Sequence, residues 1–498
     1  MQQRKCFAAM SHKRHLATES EKRRNFMQRA PRGHAAPQRL SISATAPLYN
    51  LSEPAPTIGS GSRCTLNLDI CASVSTIARM QALEIMAPAG SFESLAAALR
   101  AGADSVYFGV GMFNMRARST VNFTPEDLPK VARLCHACGA KAYLTCNVII
   151  YDEEVEPMQE LLRRAKAAGV DAVIAADLAV ITYAHSIGLE VHISVQANIC
   201  NLSAVRFFAA YADVMVLARE LKLSQIRTII EGIRRENITG PSGEQVRIEI
   251  FAHGALCIGI SGKCGMSLTA YNHSANRGQC FQLCRRKYRV TDTETGFEMD
   301  IDNQYIMSPK DICTIRVIDQ LVEAGVAVFK LEGRGRSEAY VSTVTSVYKE
   351  AVTTCAEGKW SPEKVAEWEE RLLHVFNRQF WHGGYYLGEE WDTWSGCSNS
   401  LALEQRHHLG RIVRWYPKVQ VADIRLEALP LSPGDKIEIT GPTTGIVRLT
   451  VAEVRCDDEN GVTQVVPTVP KGGNALVAVP EKVRHGDKVY LVTRRKLK

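Results

Sequence analysis

The chain has 498 residues, 46% of them apolar, which is a globular composition too long for one ordinary core, and no run reaches the roughly 18 apolar residues that cross a bilayer. Its formal charge of +7 is concentrated in the first 50 residues, where ten Lys and Arg stand against Glu19 and Glu21, so the near-neutral remainder excludes nucleic-acid binding through a global basic field. Fifteen unevenly clustered cysteines in so long a chain speak for a reducing compartment, the cytoplasm, and for a metal site rather than a disulfide framework.

Residues 1–82 are rich in Arg, Ser, Ala and Pro and lack apolar periodicity. A transit peptide has this composition. The reading preferred here is a flexible basic extension, or an upstream stretch ahead of a start at Met80. From Glu84 a rhythm begins. Strand-like runs are expected at 85–87, 105–108, 142–148, 172–175, 191–195, 214–217, 248–252 and 328–331. Helical stretches at 91–101, 125–137, 154–168 and 224–234 separate several of them. Thr124 caps the second, with Asp127 three residues on. Gly102, Gly139, Gly169, Gly188 and Gly325 each close a helix before a strand. Eight such units predict an α/β fold, a (β/α)8 TIM-type barrel over residues 83–340 with a cysteine-rich insertion before the last strand. The count argues against a doubly wound sheet.

Barrel enzymes carry their chemistry at the C-terminal strand ends. Here those ends present Arg116 and Arg118, Asn147, Asp177, Gln196 with Asn198, Arg219, His253 and Glu332. The substrate-binding candidates among them are Arg116, Arg118 and Asn147. Gln196, Asn198, His253 and Glu332 are the catalytic candidates. Residues 341–404 form a helical, aromatic-rich connecting segment whose rings either pack it onto a domain or stack on bases. From residue 405 to the end, short alternating strands between Pro/Gly/Asp turns predict a small β-barrel domain.

Within the insertion, Val246 to Phe251 alternates as a strand does, and His253-Gly254 is expected to break it. Cys257, Cys264, Cys280, Cys284 and Cys313 follow within 57 residues, mostly in Gly/Ser/Asn-rich loops. Thiolates suit zinc, copper(I) or iron–sulfur clusters. Zinc sites favour two short Cys-x₂₋₄-Cys knuckles. Only Cys280/Cys284 is short here, which favours a [4Fe-4S] cluster above the barrel mouth. No Gly-x-Ser-x-Gly elbow or His-Glu-x-x-His helix points to a hydrolase.

The stretch from Glu249 to Ser267 resembles peptidase family U32. Glu249, Phe251, Gly254, Ala255, Leu256, Cys257, Gly262, Cys264, Met266 and Ser267 meet every fixed position of that family's pattern. The likeness runs from about Glu84 to the C-terminus and includes Ser194–Asn198, Ser308–Asp311 and Leu331–Arg334. It implies one of two activities. The first is oxygen-independent hydroxylation of RNA, with an iron–sulfur cluster and prephenate as hydroxyl donor. The second is a collagenase-like peptidase. The segment around Cys280, with Arg285, Arg286 and Lys287 placed for phosphates, is most similar to the branch that forms 5-hydroxyuridine at the tRNA wobble position. Relatives share cysteines matching Cys257, Cys264 and Cys280. Their fourth matches Cys284 in some and Cys313 in others, and this chain has both.

Overall fold

The computed structural model describes residues 83–118, 122–299, 305–383, 386, 388, 394–397, 399–458 and 461–496. The expected N-terminal extension lies outside the described residues.

The chain enters as strand β1 (Glu84–Ala89), helix α1 (Phe92–Arg100), β2 (Ser105–Gly109), α2 (Leu128–Ala137), β3 (Lys141–Cys146), α3 (Val155–Ala167) and β4 (Ala172–Ala175). It continues through α4 (Leu178–Ser186), β5 (Glu190–Ile193), α5 (Leu202–Phe208), β6 (Val214–Val216), α6 (Leu223–Glu236) and β7 (Arg247–Ala255). The insertion carries α7 (Met266–Tyr271), a hairpin of β8 (Val290–Thr291) and β9 (Glu298–Met299), and β10 (Asp311–Cys313). Helix α8 (Ile318–Ala324) then leads into β11 (Val328–Leu331). Strands β1 to β7 pair in parallel in chain order, and β11 pairs in parallel with both β7 and β1. The barrel is therefore closed, with eight parallel strands.

Alternation along each strand sorts the side chains. Met86, Tyr107, Tyr143, Ile174 and Val214 point inward and share one interior cluster. Ile85, Phe108, Leu144 and Val173 point outward, into the core beneath the helices. Glu84 closes the base, accepting from Ser105 Oγ at 2.6 Å, Tyr143 Oη at 3.0 Å and Arg247 Nη2 at 2.8 Å. The five helix-closing glycines all have positive φ. Thr124 and Asp127 form a capping box on the turn that leads into α2. Helices α4 and α8 were signalled only by their closing glycines, Gly188 and Gly325, and α5 was not anticipated.

The expected break at His253-Gly254 does not occur. Strand β7 runs on to Ala255, and its last residues pair antiparallel with β10, Cys313 opposite His253. The register between β7 and β11 shifts between Phe251 and His253; just beyond, Gly254 has φ +111°, and a Cβ there would fall onto the Glu332 carbonyl oxygen. The strand thus bends at Gly254 instead of ending.

After β11 come α9 (Glu338–Ala356), α10 (Pro362–Leu373) and β12 (Phe380–His382), which extends the barrel sheet through β10. Trp368 is fully buried, and the Tyr386 hydroxyl donates to the Phe251 carbonyl at 2.8 Å. These rings pack onto the barrel, while Tyr385 and Trp391 lie outside the described residues.

The last region is antiparallel: β13 (Glu404–Tyr416), β14 (Val421–Leu426), β15 (Lys436–Gly441), β16 (Gly445–Thr450), β17 (Val454–Asp457), β18 (Thr463–Val466), β19 (Asn474–Ala478) and β20 (Lys488–Arg494). Its sheet order is β16-β15-β20-β13-β14-β19-β17-β18, around a core that includes Leu409, Ile424, Ile437 and Val489. It docks on α9 through Arg448 Nη1 to Thr343 Oγ1 at 3.0 Å and Arg406 Nη1 to Glu338 at 2.6 Å.

Candidate active site

Two residues beyond β7 stands Cys257, and the loop then folds back over the barrel mouth. Cys264 precedes α7, Cys280 follows a short turn at Ala275–Arg277, and Cys284 lies within another at Leu283–Arg285. Gly278, at φ +73°, lets this loop lie against the backbone of Asn114, where a Cβ would collide with the carbonyl oxygen. Arg285 fastens the loop from inside. Its guanidinium donates to the carbonyls of Leu256 and Pro309, each at 2.5 Å, and to Ser308 Oγ at 3.1 Å.

Beneath the loop is a cavity of about 240 Å³. Cys257, Cys264, Cys280 and Cys284 all line it, each partly exposed. Burial pushes the Cys284 thiol up and Arg285 opposes this, while Cys257, Cys280 and Cys264 add to the rise because their charges stand near. Arg116, Asn147, Gln196, Glu332 and Arg285 line the same cavity. The structure therefore gathers four of the expected cysteines with five of the expected polar residues.

The mouth is held by charge. Glu332, at the end of β11, accepts from Arg116 Nη2 at 2.8 Å and Nε at 3.2 Å and from Tyr107 Oη at 3.2 Å. Burial pushes its carboxyl up, but the charge and hydrogen bonds of Arg116, helped by Arg334, outweigh that and hold it below the usual range. Arg334 reaches Thr145 Oγ1 and Asn114 Oδ1, each at 2.6 Å, and burial lowers it to about 10. Deeper in the barrel, Lys330 Nζ bonds the fully buried Glu249 at 2.8 Å. A second chain runs across the wall: Asn147 Nδ2 to Ser194 Oγ at 3.1 Å, then Ser194 Oγ to Gln196 Oε1 at 2.6 Å.

Cations outnumber anions on this lining. Arg116, Arg219, Arg285, Lys330, Arg334, Arg336 and Arg378 all face it, whereas Glu332 is its one carboxylate among the described residues. Arg219 donates to Ser261 Oγ at 2.7 Å and its Nε has no partner among the described residues. Of these residues, sequence reasoning named Arg219 and Arg334 only as strand-end residues and passed over Tyr107 and Lys330. Lys330 did carry a signal, as the one charge within the apolar strand Val328–Leu331.

Five expected site residues stand elsewhere. Cys313 is fully buried behind β7, beside the Tyr348 hydroxyl at 3.8 Å, and burial pushes its thiol up to about 12. His253 faces the same pocket: alternation alone would turn it inward with Glu249 and Phe251, but the strand carries one extra residue between Phe251 and His253 where it pairs with Lys330 and Leu331, which turns it outward, and Tyr348 lies 3.3 Å from its Nδ1. Burial, with His382 nearby, lowers it to about 3, so it is neutral. Asn198 takes a left-handed φ of 53° and donates to the Gln196 carbonyl at 2.9 Å, a turn-capping role outside the cavity. Arg118 and Arg286 are exposed on the outer face of the loop. Cys313 and His253 thus stand in the core behind β7, apart from the other expected ligand and catalytic residues.

No three His, Cys, Asp or Glu side chains among the described residues are gathered around a single metal ion. A zinc ion with Zn–S bonds near 2.3 Å needs sulfurs about 3.8 Å apart. A four-iron cube is several ångströms across and takes thiolates spaced further apart. Four cysteines and no histidine line the cavity, an all-thiol donor set of the kind iron–sulfur clusters take. Among the described residues no helix is long and apolar enough to cross a membrane.

The model of peptidase family U32 matches residues 90–395. A Porphyromonas gingivalis protein named collagenase is 50% identical, over 83% of this chain and 98% of its own length. A tRNA hydroxylation protein of Bacillus subtilis is 34% identical over 59% of this chain and 69% of its own. The tRNA hydroxylation protein P of Escherichia coli is 26% identical over 74% of this chain and 95% of its own.

Proposed function

The chain belongs to peptidase family U32, and from that premise we propose that it is an iron–sulfur enzyme of oxygen-independent RNA hydroxylation, forming 5-hydroxyuridine at the tRNA wobble position. The observation that carries this is the meeting of four thiols and a cation-rich lining in one small cavity. Cys257, Cys264, Cys280 and Cys284 would hold the cluster, which supplies one-electron redox chemistry when bound. The cavity is smaller than those that take drug-sized ligands, which suits one extruded base or one small acid. Arg219 and Arg334 offer guanidinium groups to the carboxylates of a prephenate-type donor. Asn147 and Gln196 offer amide groups to a base edge. Glu332 is held ionised by Arg116 and can accept a proton. Atoms balance as an exchange: the uridine C–H becomes C–OH while the donor C–OH becomes C–H, so the donor takes up the two electrons that uridine gives.

The name of the Porphyromonas relative favours a second reading, a collagenase-like peptidase. A cysteine peptidase needs a thiolate paired with a histidine. The cavity lining has none, and His253 lies behind the strand. The test is nucleoside analysis of digested tRNA from a strain lacking the gene. Loss of 5-hydroxyuridine, not restored by a Cys264→Ala copy, is expected. Unchanged nucleosides together with lost collagen degradation decide for the peptidase.

A further inference from the structure

Between Glu249 and Asp292 the chain has no Asp or Glu, yet it holds Lys263, Arg277, Arg285, Arg286, Lys287 and Arg289. Some of these charges are used internally. Arg277 pairs with Glu154, Arg289 pairs with Glu298, and Arg285 serves the loop backbone. Lys263, Arg286 and Lys287 are exposed, as is neighbouring Arg118, and none of the four has a carboxylate partner among the described residues.

Two of these cations end a continuous stack. The Arg118 guanidinium lies 4.2 Å from the Phe281 ring centre. Phe281 meets Tyr271 at 4.9 Å with a tilt of 42°. Arg286 closes the row, 5.6 Å over the Tyr271 ring and donating to its hydroxyl at 2.8 Å. Tyr271 is 44% exposed. Phe281 sits between Cys280 and Gln282, both on the cavity lining, so the row starts at the edge of the mouth.

We infer that the Arg118–Phe281–Tyr271–Arg286 row is the docking strip for a single-stranded RNA loop, which it guides to the cavity. This rests on the RNA-hydroxylation reading and names the surface that reading needs. Cations without carboxylate partners beside the exposed Tyr271 ring and the half-buried Phe281 ring match phosphates beside unstacked bases. An acidic peptide would use the charges and leave the rings idle. A second copy meeting this face across a two-fold axis would bring the same unpaired cations together. A duplex keeps its bases stacked and offers nothing to the rings.

The experiment measures fluorescence anisotropy of a labelled RNA hairpin with a seven-nucleotide loop on the full chain, against the same strand annealed as a blunt duplex. The hairpin is expected to bind more tightly. Tyr271→Ala and Phe281→Ala should each weaken it about tenfold, leaving the duplex unchanged, while Tyr271→Phe stays within about twofold. Arg118→Gln and Arg286→Gln should each reduce the salt slope of log Kd by about 0.7. Tyr271 is exposed, so its variants keep the test decisive if Phe281→Ala fails to fold. Equal binding of hairpin and duplex, full hairpin affinity in Tyr271→Ala, or equally tight binding of a poly-glutamate peptide each overturns the strip. If 5-hydroxyuridine is unchanged in the deletion strain while Tyr271→Ala still loses the hairpin, the hydroxylation reading falls and the strip stands.

Discussion

Two groups of cysteine and polar residues lie on opposite sides of the end of β7. On the mouth side, four partly exposed thiols share a cavity with Glu332, Arg116 and Gln196. On the far side, Cys313 and His253 are sealed among Tyr340, Tyr348 and Phe380, with ring contacts of 5.4 to 6.0 Å to the histidine. Both groups have metal-binding and catalytic residue types, and they adjoin in sequence. The difference is solvent and company. Thiols that line one cavity together can serve as ligands, whereas a lone thiol walled by rings is a small core side chain.

The sharpest way to break this contrast is iron content. Alanine at Cys257, Cys264, Cys280 or Cys284 should abolish bound iron and sulfide in anaerobically purified protein, while Cys313→Ala keeps both. Full iron in any of the first four, or iron loss in the last, reverses the assignment. The next largest effect concerns the charge beneath the mouth. Lys330→Met leaves Glu249 buried and unpaired, and should cost about 3–5 kcal/mol in urea unfolding. Adding Glu249→Leu should recover most of that loss.

The bend separating the two groups can be tested directly. Gly254→Ala forces a side chain onto the Glu332 carbonyl at φ +111°, and a loss of about 3 kcal/mol is expected. Wild-type stability in this variant would show that the bend is soft.

The buried side should also show itself in acid. His253 is lowered to about 3 by burial and His382, so between about pH 6.5 and 3 the unfolded chain binds a proton that the folded chain refuses. Stability contributed by the neutral ring is complete above pH 6.5 and falls by about 1.4 kcal/mol per pH unit below it. His382, Tyr340, Tyr348 and Cys313 are the titratable groups around it. His253→Gln should flatten that part of the profile, and an unchanged slope would place the acid sensitivity elsewhere. The smallest effect is Cys313→Ala itself, a loss of about 1–2 kcal/mol from the vacated core space.

Much of the fold was legible in the sequence. The eight barrel strands were found because fully buried parallel strands leave short apolar runs between helix-closing glycines, as at Ala172–Ala175. The site was legible in part. Cys257, Cys264, Cys280 and Cys284 stand within 28 residues, so their loop could bring them together. Arg116 and Glu332 were named as strand-end residues, but their pairing across 216 positions was not readable. Helix α5 was missed, and α4 was marked only by Gly188 at its end, because short helices under a core show little periodicity.

What the sequence determined by itself was composition, period and local spacing: a closed run of βα units, a basic acid-free insertion and a set of thiols in loops. These follow from interactions between near neighbours in the chain. Only the tertiary structure decided which side of β7 each residue faces. His253 and Cys313 pair across strands 60 positions apart, and the register shift before His253 with Gly254 at φ +111° after it sets which way this end of the strand turns. A strand side chain changes face with every residue, so one extra residue between Phe251 and His253 is enough to move His253 from mouth to core.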